Sequence, residues 1–174
     1  MTPGVAGPEY THCPKCGGRF ETRHTEGRER LVCASCGFVF YHNPAPAAGV
    51  ILIEDGELLW VRRRDNPRRG QWTLPAGFVE YDEHVEACAV RETKEETGLD
   101  VRLSGLFNAY MAMDDPRVRV VLLLYTAVRV GGTLAPGDDA ADARFFPVDR
   151  PPAEIAFEAH RLALADIRAR LARG

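Results

Sequence analysis

GFVEYDEHVEACAVRETKEETGL, residues 77–99, combines a glycine-led loop with a helix that turns acidic along one face. The stretch from Glu83 to Thr97 is rich in helix-forming residues, and Gly98 is placed to end it as a C-cap. At about 100° per residue, one face of this helix carries Val85, Ala89, Glu92 and Glu96. The face begins apolar and ends in carboxylates, whereas an ordinary packing face stays apolar throughout.

The acidic end of this helix face is a candidate metal site. Half-buried glutamates repel one another and are costly to desolvate unless a cation compensates them, and Glu95 adjoins the same face. Such a cluster suits a hard divalent ion such as Mg²⁺ or Mn²⁺. The alternative is a solvated charged face, in which Arg91 pairs with Glu95 and Lys94 screens its neighbours. The preceding Gly/Pro segment, Leu74–Glu80, favours the metal site, because such a loop brings backbone groups close to a ligand.

The sequence on both sides of this segment predicts a sheet. Apolar runs predict strands, and Glu54-Asp55-Gly56 predicts a turn between the first two of them. The predicted strands are Ala47–Ile53, Leu58–Arg62, Val101–Met111, Val118–Val130 and Ala143–Val148, with a loop at Gly131–Asp142 before the last. Pro151-Pro152 is predicted to open a C-terminal helix, whose packing stripe comprises Phe157, Leu164, Ile167 and Leu171. The predicted fold class is therefore α+β.

Four of the five cysteines form two CxxC pairs, Cys13-Pro-Lys-Cys16 and Cys33-Ala-Ser-Cys36. This spacing predicts a zinc ribbon, a small β-hairpin domain in which four thiolates hold a structural Zn²⁺. Disulfides and redox-active pairs are the alternatives, and both are disfavoured because the sequence shows neither a secretory signal nor a βαβ unit beside one pair. Cys88 stands alone in the helix and is predicted to be a small buried residue.

The chain length, 174 residues, allows one compact domain with a small appendage. The Pro-rich connector Tyr41–Pro46 predicts a boundary between residues 1–43, the ribbon, and residues 44–174, the main domain. With 22 Lys+Arg, 25 Asp+Glu and 45% hydrophobic residues, the composition excludes a disordered chain and a protein that wraps on DNA by net charge alone. No apolar run reaches membrane-spanning length and the N-terminus lacks signal features, so a cytoplasmic location is expected.

The spacing of residues within 77–99 resembles the Nudix box, GX5EX7REUXEEXGU, in which U is aliphatic. Five residues separate Gly77 from Glu83, and seven more precede the run RETKEETGL, residues 91–99. All fixed positions match, and Thr93 is the one departure, at an aliphatic position. The likeness extends through Gln71–Pro75 and Asp138–Phe146. The CxxC pairs resemble the zinc ribbon of some family members, especially those similar to NADH pyrophosphatases.

This resemblance implies a Nudix-type α/β/α sandwich with a mixed sheet, preceded by the ribbon. It also implies Mg²⁺- or Mn²⁺-dependent hydrolysis of a nucleoside diphosphate linked to another moiety. Glu92 and Glu96 would be the principal metal ligands, joined by the backbone carbonyl of Ala76. Glu95 would be a further ligand or orient the attacking water. Arg91 would act in the catalytic centre by holding a box glutamate in place.

The resemblance points to further residues outside the helix. Family members often add a metal-binding carboxylate from the loop before the last strand, and Asp139 occupies that place with Asp138 beside it. Glu83 lies about 180° from Glu92 by helical arithmetic and is interpreted as structural. The candidate substrate-binding residues are Arg62 in a basic loop, Gly77 in the box, and the aromatic residues Trp72 and Tyr110. Core packing is the alternative for Trp72, Tyr110 and Phe107, and simple solvation for the basic loop.

The residues that follow the box bear on the identity of the substrate. NADH-hydrolysing members carry an SQPWPFPxS-like array after the box, whereas residues 106–117 here read LFNAYMAMDDPR. ADP-ribose-hydrolysing members often carry a proline past the box, and Pro116 lies 17 residues past Leu99. The resemblance therefore favours an ADP-ribose-like substrate, with NADH or FAD as alternatives and RNA caps as a larger substrate with the same bond.

A second class of function remains open, a non-catalytic zinc-ribbon module that binds a nucleotide or a nucleic acid. The ribbon carries Arg19, Arg23, Arg28 and Arg30. The acidic net charge and the full set of box glutamates argue against this class. The expected partner is therefore a small-molecule nucleotide rather than nucleic acid or membrane, and the family resemblance makes a homodimer an additional expectation.

Overall fold

The computed structural model describes residues 10–115, 118–137 and 140–173. The chain divides between Asn43 and Pro44 into two units, and each unit has its own sheet.

The first unit is a three-stranded antiparallel sheet. Its strands are β1 (Phe20–Thr25), β2 (Arg28–Cys33) and β3 (Val39–Phe40), in the order β1-β2-β3. The hairpin expected from the sequence is present as β1 and β2, and β3 extends it by pairing with β2. An aromatic cluster covers the sheet, with the Tyr10 and Phe40 ring centroids 4.5 Å apart. Because so few apolar side chains are buried, this unit needs a further source of stability.

The four cysteines of the two CxxC motifs form a metal cage that can supply this stability. Their sulfur atoms all lie within 4.8 Å of one another, with 3.8 Å between Cys13 and Cys36 and 3.5 Å between Cys16 and Cys33. A tetrahedral Zn²⁺ with Zn–S bonds of about 2.3 Å requires sulfur atoms about 3.8 Å apart, so this cage fits zinc. Each pair is followed by a glycine with positive φ, +73° at Gly17 and +72° at Gly37, which lets the backbone turn tightly there.

The second unit contains a seven-stranded mixed sheet and two helices. The strands are β4 (Ala45–Glu54), β5 (Glu57–Arg63), β6 (Trp72–Thr73), β7 (Ala76–Phe78), β8 (Leu99–Ala112), β9 (Val120–Gly132) and β10 (Ala140–Pro147); the helices are α1 (Val85–Thr97) and α2 (Glu158–Leu171). The main strand order is β10-β5-β4-β9-β8, with β6 beside β5 and β7 beside β4. The β4–β9 pair is parallel and the other pairs are antiparallel.

The sheet separates two hydrophobic cores, one packed against each helix. Successive side chains of β4 point to opposite faces, so Ala47 and Ile51 join one core whereas Ala48 and Val50 join the other. The first core contains Ala159, Ala163, Leu164 and Ile167 of α2, and the second contains Cys88 and Ala89 of α1. The predicted α/β/α sandwich is confirmed. Cys88 is fully buried, as expected.

Three sequence expectations need correction. The loop Leu74–Glu80 contains β7, because the backbone of residues 76–78 pairs with β4. Helix α1 begins at Val85 rather than Glu83, with His84 as its extended N-cap. Leu171 is 55% exposed, because α2 ends there and its last turn leaves the packing face.

Two further boundaries shift, and the first is the start of α2, at Glu158 rather than at Pro151-Pro152. The last strand starts at Ala140 rather than Ala143, since residues 140–142 continue the ladder to β5 across a bulge. The first hairpin matches its prediction, and its turn residues Asp55 and Gly56 both have positive φ, the conformation that an Asp-Gly turn adopts. Within the described ranges, no helix has the length and apolar character that crossing a membrane requires.

Zinc removal is expected to unfold the first unit alone. Both tryptophans, Trp60 and Trp72, belong to the second unit, so their fluorescence reports only on it. A strong chelator, or Cys33→Ser, should abolish amide protection across β1–β3 because the small core cannot hold the sheet without the metal. The tryptophan emission and its thermal midpoint should stay unchanged, with Cys88→Ser as a control for thiol loss outside the cage. Loss of both signals together would contradict this separation.

Candidate active site

A cavity of about 400 Å³ lies in the second unit, between the acidic end of α1 and the start of α2. One wall consists of Glu92 and Glu96 from α1 together with the backbone of β7. The cavity is also lined by Phe157, at the N-cap of α2, and by His160 in its first turn. Arg63, from the end of β5, also lines the space. The volume of the cavity lies in the range of small-molecule binding sites.

Glu92 packs directly against the backbone of Gly77. A methyl group at Gly77 would lie only 2.0–2.3 Å from the Glu92 carboxylate atoms. The glycine is therefore required by close approach rather than by backbone conformation. The side chain of Glu92 is only 16% exposed, so its carboxylate is held at the cavity wall rather than in bulk solvent.

Glu96 is fixed by the neighbouring backbone amide. Ala76 N–H donates to Glu96 Oε2 at 3.0 Å, and the residue is 6% exposed. β4 holds this segment in place, because Val50 N–H donates to the Pro75 carbonyl at 3.0 Å. A methyl group at Gly49, opposite Ala76, would lie 2.2 Å from the same carbonyl, so β4 can approach only with glycine there.

Arg91 connects three glutamates. Two of its nitrogens donate to Glu83, at 2.6 and 3.1 Å, and Nη1 donates to Glu92 at 2.7 Å and Glu95 at 2.8 Å. These carboxylates raise the pKa of Arg91 above its ordinary value, and the guanidinium bonds lower the pKa of Glu83 to about 2. Glu83 precedes the helix, so helical arithmetic does not apply to it, yet it contacts Arg91 as a structural residue would.

Glu95 occupies a different place from Glu92 and Glu96. Its carboxylate is 39% exposed, makes the i,i+4 pair with Arg91, and does not line the cavity. Throughout residues 10–115, 118–137 and 140–173, the four ribbon cysteines are the one group of three or more ligand side chains found within 4.8 Å of one another. The α1 wall of the cavity therefore offers the carboxylates of Glu92 and Glu96 and the adjacent backbone oxygens, a set of hard donors that fits Mg²⁺ or Mn²⁺, and Asp65, Glu80 and Asp115 also line the cavity.

The predicted substrate residues are not all brought together. Gly77 lines the cavity, but Arg62, Trp72 and Tyr110 do not. The guanidinium carbon of Arg62 lies 5.9 Å from the Trp72 ring centroid, and its Nη2 lies 4.0 Å from Asp142 Oδ2. Tyr110 is 7% exposed and donates its hydroxyl to Asp166 at 2.7 Å. Asp138, Asp139 and Pro116 lie outside the described residues.

Several residues that sequence reasoning did not assign to the site line the cavity, among them Arg63, Phe157 and His160. Arg63 takes the place expected for Arg62, and its guanidinium carbon lies 5.5 Å from the Phe157 ring centroid. His160 Nδ1 accepts the Leu74 N–H at 3.2 Å. Burial, with a smaller contribution from Arg63, lowers the pKa of His160 to about 4. The sequence does contain a signal, since a histidine at position 160 interrupts the apolar stripe of α2.

An α/β/α sandwich whose helix presents two carboxylates to a glycine-bearing strand defines the structural class of this protein. Residues 43–167 match the family model described as NUDIX domain, and residues 11–42 match the model described as Nudix N-terminal, a zinc ribbon. The chain therefore belongs to the Nudix hydrolase family, and its resemblance to the Nudix box is confirmed.

Named relatives span more than one activity. An ADP-ribose pyrophosphatase of Methanocaldococcus jannaschii is 40% identical over 123 residues, 70% of this chain and 72% of the relative. The NAD-capped RNA hydrolase NudC of Vibrio atlanticus is 31% identical over 141 residues, 80% of this chain and 50% of the relative. The chain thus spans half the length of that enzyme. A NUDIX hydrolase crystal structure from Nitrosomonas europaea superposes with a TM-score of 0.78 at 32% identity, covering 89% of this chain and 88% of that chain.

Replacing Gly77 by alanine is expected to displace Glu92. The added methyl group would overlap the carboxylate, and the flexible side chain can escape only by leaving its place at the wall. Turnover should fall by about 10-fold or more, as for other changes that misplace a metal-site group, with little change in thermal midpoint. Gly131→Ala, at the far end of β9, is the matched control. Unchanged turnover in Gly77→Ala would contradict the importance of this contact.

His160 is expected to make the stability of the second unit depend on pH. Its pKa of about 4 in the folded protein lies below the ordinary value of 6.5, because burial penalises the charged ring. The unfolded chain therefore binds more protons as pH falls through this window. The resulting stability is complete above pH 6.5 and is lost towards pH 4, by up to about 3 kcal/mol. Urea unfolding at pH 7 and pH 4, followed by tryptophan fluorescence, measures it. His160→Asn cannot titrate and should lose less, and an equal loss in both proteins would contradict the assignment.

Proposed function

We propose that the second unit hydrolyses the pyrophosphate bond of a nucleoside diphosphate linked to another moiety, with an ADP-ribose-like substrate. The observation that carries this proposal is the acidic wall of the cavity, where Glu92 and Glu96 lie against the backbone of Ala76 and Gly77. The relative named ADP-ribose pyrophosphatase, 40% identical over 70% of this chain, supports the choice of substrate.

Glu92, Glu96 and the Ala76 carbonyl would hold the catalytic metal, Mg²⁺ or Mn²⁺, with Asp139 and Glu95 as further candidates. A divalent ion at such a site neutralises phosphate oxygens and lowers the pKa of a bound water. Arg91 keeps Glu92 in place by a 2.7 Å bond without contacting the substrate. A carboxylate of the wall then accepts a proton from the attacking water.

The part of the cavity lined by Phe157 suits the nucleoside half of the substrate. Phe157 offers an aromatic surface, and Arg63 lies near its ring, 5.5 Å from guanidinium carbon to ring centroid. Apolar residues complete this half of the cavity: Ala47, Ala112, Val120 and Leu122. A base would stack on the aromatic surface. In this arrangement the pyrophosphate lies between the stacked base and the acidic wall.

NADH, FAD or the NAD cap of RNA is the second candidate substrate. The ribbon and the similarity to NudC enzymes favour it, although this chain spans only 50% of the Vibrio atlanticus relative. All these substrates contain a pyrophosphate bond. The preference of the enzyme among them therefore depends on which of the attached groups the cavity and its rim accept. Parallel assays with ADP-ribose, NADH, FAD and NAD-capped RNA, each with Mg²⁺ or Mn²⁺, separate the candidates. Faster turnover of NADH or capped RNA than of ADP-ribose would reverse the ranking.

The remaining proposals concern the cellular location of the enzyme, its oligomeric state and its binding to nucleic acid. We infer a cytoplasmic location, because the four cysteines of the zinc cage must stay reduced to bind the metal. A homodimer and the absence of nucleic-acid binding remain predictions from the sequence. Sedimentation velocity tests the first, and oligonucleotide titration at two salt concentrations tests the second.

Glu96→Gln is expected to abolish most of the hydrolysis while the fold survives. The amide side chain can still accept the Ala76 N–H, but it removes a negative charge from the metal site. Release of AMP and ribose 5-phosphate from ADP-ribose should slow by about 100-fold. The thermal midpoint of tryptophan fluorescence checks the fold. Glu86→Gln, at an exposed position of the same helix, should keep full activity, and near-normal turnover in Glu96→Gln would refute the proposed function.

A further inference from the structure

The segment from Trp72 to Ala76 is held from two sides. On one side, β4 and Glu96 bind Pro75 and Ala76, through the Val50 N–H and the Glu96 carboxylate. On the other side, residues 154–156 pair with Trp72. Its N–H donates to the Glu154 carbonyl and its carbonyl accepts the Ala156 N–H, both at 2.8 Å. Thr73 is held by its pairing with Val61 of β5, so Leu74 is the residue left between these attachments.

His160 provides the attachment at Leu74. Its Nδ1 accepts the Leu74 N–H at 3.2 Å, across 86 residues of sequence. Leu74 is fully buried and His160 is 6% exposed, so no bulk water can replace the bond. A buried N–H without an acceptor costs about 1–3 kcal/mol, and the segment would therefore move if the imidazole were lost.

The first turn of α2, which carries the His160 ring, is held by two hydrogen bonds from outside the helix. The first turn of α2 has no side-chain cap of its own at Phe157, but Asp114 Oδ2 accepts the Glu158 N–H at 3.0 Å. Arg161 Nη1 donates to the Ile155 carbonyl at 2.7 Å. Because Nδ1 accepts a bond, the neutral ring carries its proton on Nε2. The low pKa of His160 keeps the ring in this state at neutral pH.

We propose that His160 is a positioning residue for the metal site. By accepting the Leu74 N–H it fixes the Leu74–Ala76 segment, and with it the Ala76 carbonyl beside Glu96. The metal-binding part of this inference rests on the proposed function, whereas the backbone part does not. α2 thereby supports the acidic wall from across the cavity, and partners of this kind typically change metal affinity or activity by about 10–100-fold.

Two substitutions separate the bond from the volume of the ring. In His160→Asn, the side-chain oxygen takes the place of Nδ1 and can accept the Leu74 N–H. In His160→Phe, the ring volume remains but no acceptor does. His160→Gln, whose oxygen reaches the position of Nε2 instead, replaces the phenylalanine variant if that protein fails to fold. Tryptophan fluorescence melts establish folding before any comparison.

The experiment measures two quantities in the zinc-loaded full chain. Amide exchange at Leu74, resolved by NMR, should accelerate at least 10-fold in His160→Phe and remain slow in His160→Asn. The Kd for Mn²⁺ at the second unit, measured by calorimetry, should rise about 10-fold in His160→Phe and be largely restored in His160→Asn. With ADP-ribose and saturating Mn²⁺, kcat should fall more than KM rises.

Each result decides a separate step. Unchanged exchange at Leu74 in His160→Phe overturns the positioning role. Accelerated exchange with unchanged Mn²⁺ affinity overturns the link between this bond and the metal site. Glu96→Gln serves as the reference for the proposed function. If it binds Mn²⁺ as tightly as the natural protein, the metal site is wrong, while the exchange result still measures the bond between His160 and Leu74.

Discussion

The contact between the acidic end of α1 and the backbone of β7 constrains the whole second unit. Glu92 lies against Gly77 and Glu96 accepts the Ala76 N–H, so helix and strand must meet within hydrogen-bonding distance. That approach requires β7 to pair with β4, and the pairing in turn requires Gly49 opposite Ala76. Each glycine is there because a methyl group would collide. The chemistry of the wall and the packing of the sheet therefore depend on the same few atoms.

Thr93, the one departure from the Nudix box pattern, lies in the same helix as these glutamates. The residue is fully buried at a position where the Nudix box usually has an aliphatic side chain. Its hydroxyl donates to the Ala89 carbonyl at 2.7 Å, one helical turn back, so the buried oxygen is satisfied without an outside partner. A β-branched side chain of similar volume fills the same space. The departure from the box is therefore accommodated within α1 itself.

Sequence alone could predict the local features and missed those that depend on distant pairing. The helix periodicity and the CxxC spacing are set within short segments, and α1 and the cysteine cage follow from them. β7 was missed because Leu74–Glu80 pairs with a strand almost thirty residues earlier and has no strand-like pattern of its own. The aromatic residues Trp72 and Tyr110 could not be assigned, since core and site positions have the same composition. His160 could have been found, because it lies on the α2 stripe with Leu164 and Ile167 just as Glu92 and Glu96 lie on that of α1.

The distribution of charge across the cavity connects these features to the substrate. The cavity is lined by five carboxylate residues, Asp65, Glu80, Glu92, Glu96 and Asp115, and by one guanidinium, Arg63, so its lining has a formal charge of −4. A pyrophosphate is itself an anion and would be repelled from this wall unless divalent cations lay between them. Arg63 lies elsewhere on the cavity wall, beside Phe157, where it attracts an anion without pairing with these glutamates. The proposed substrate, a nucleoside diphosphate derivative, would fit this distribution with its base near Phe157 and its phosphates at the acidic wall.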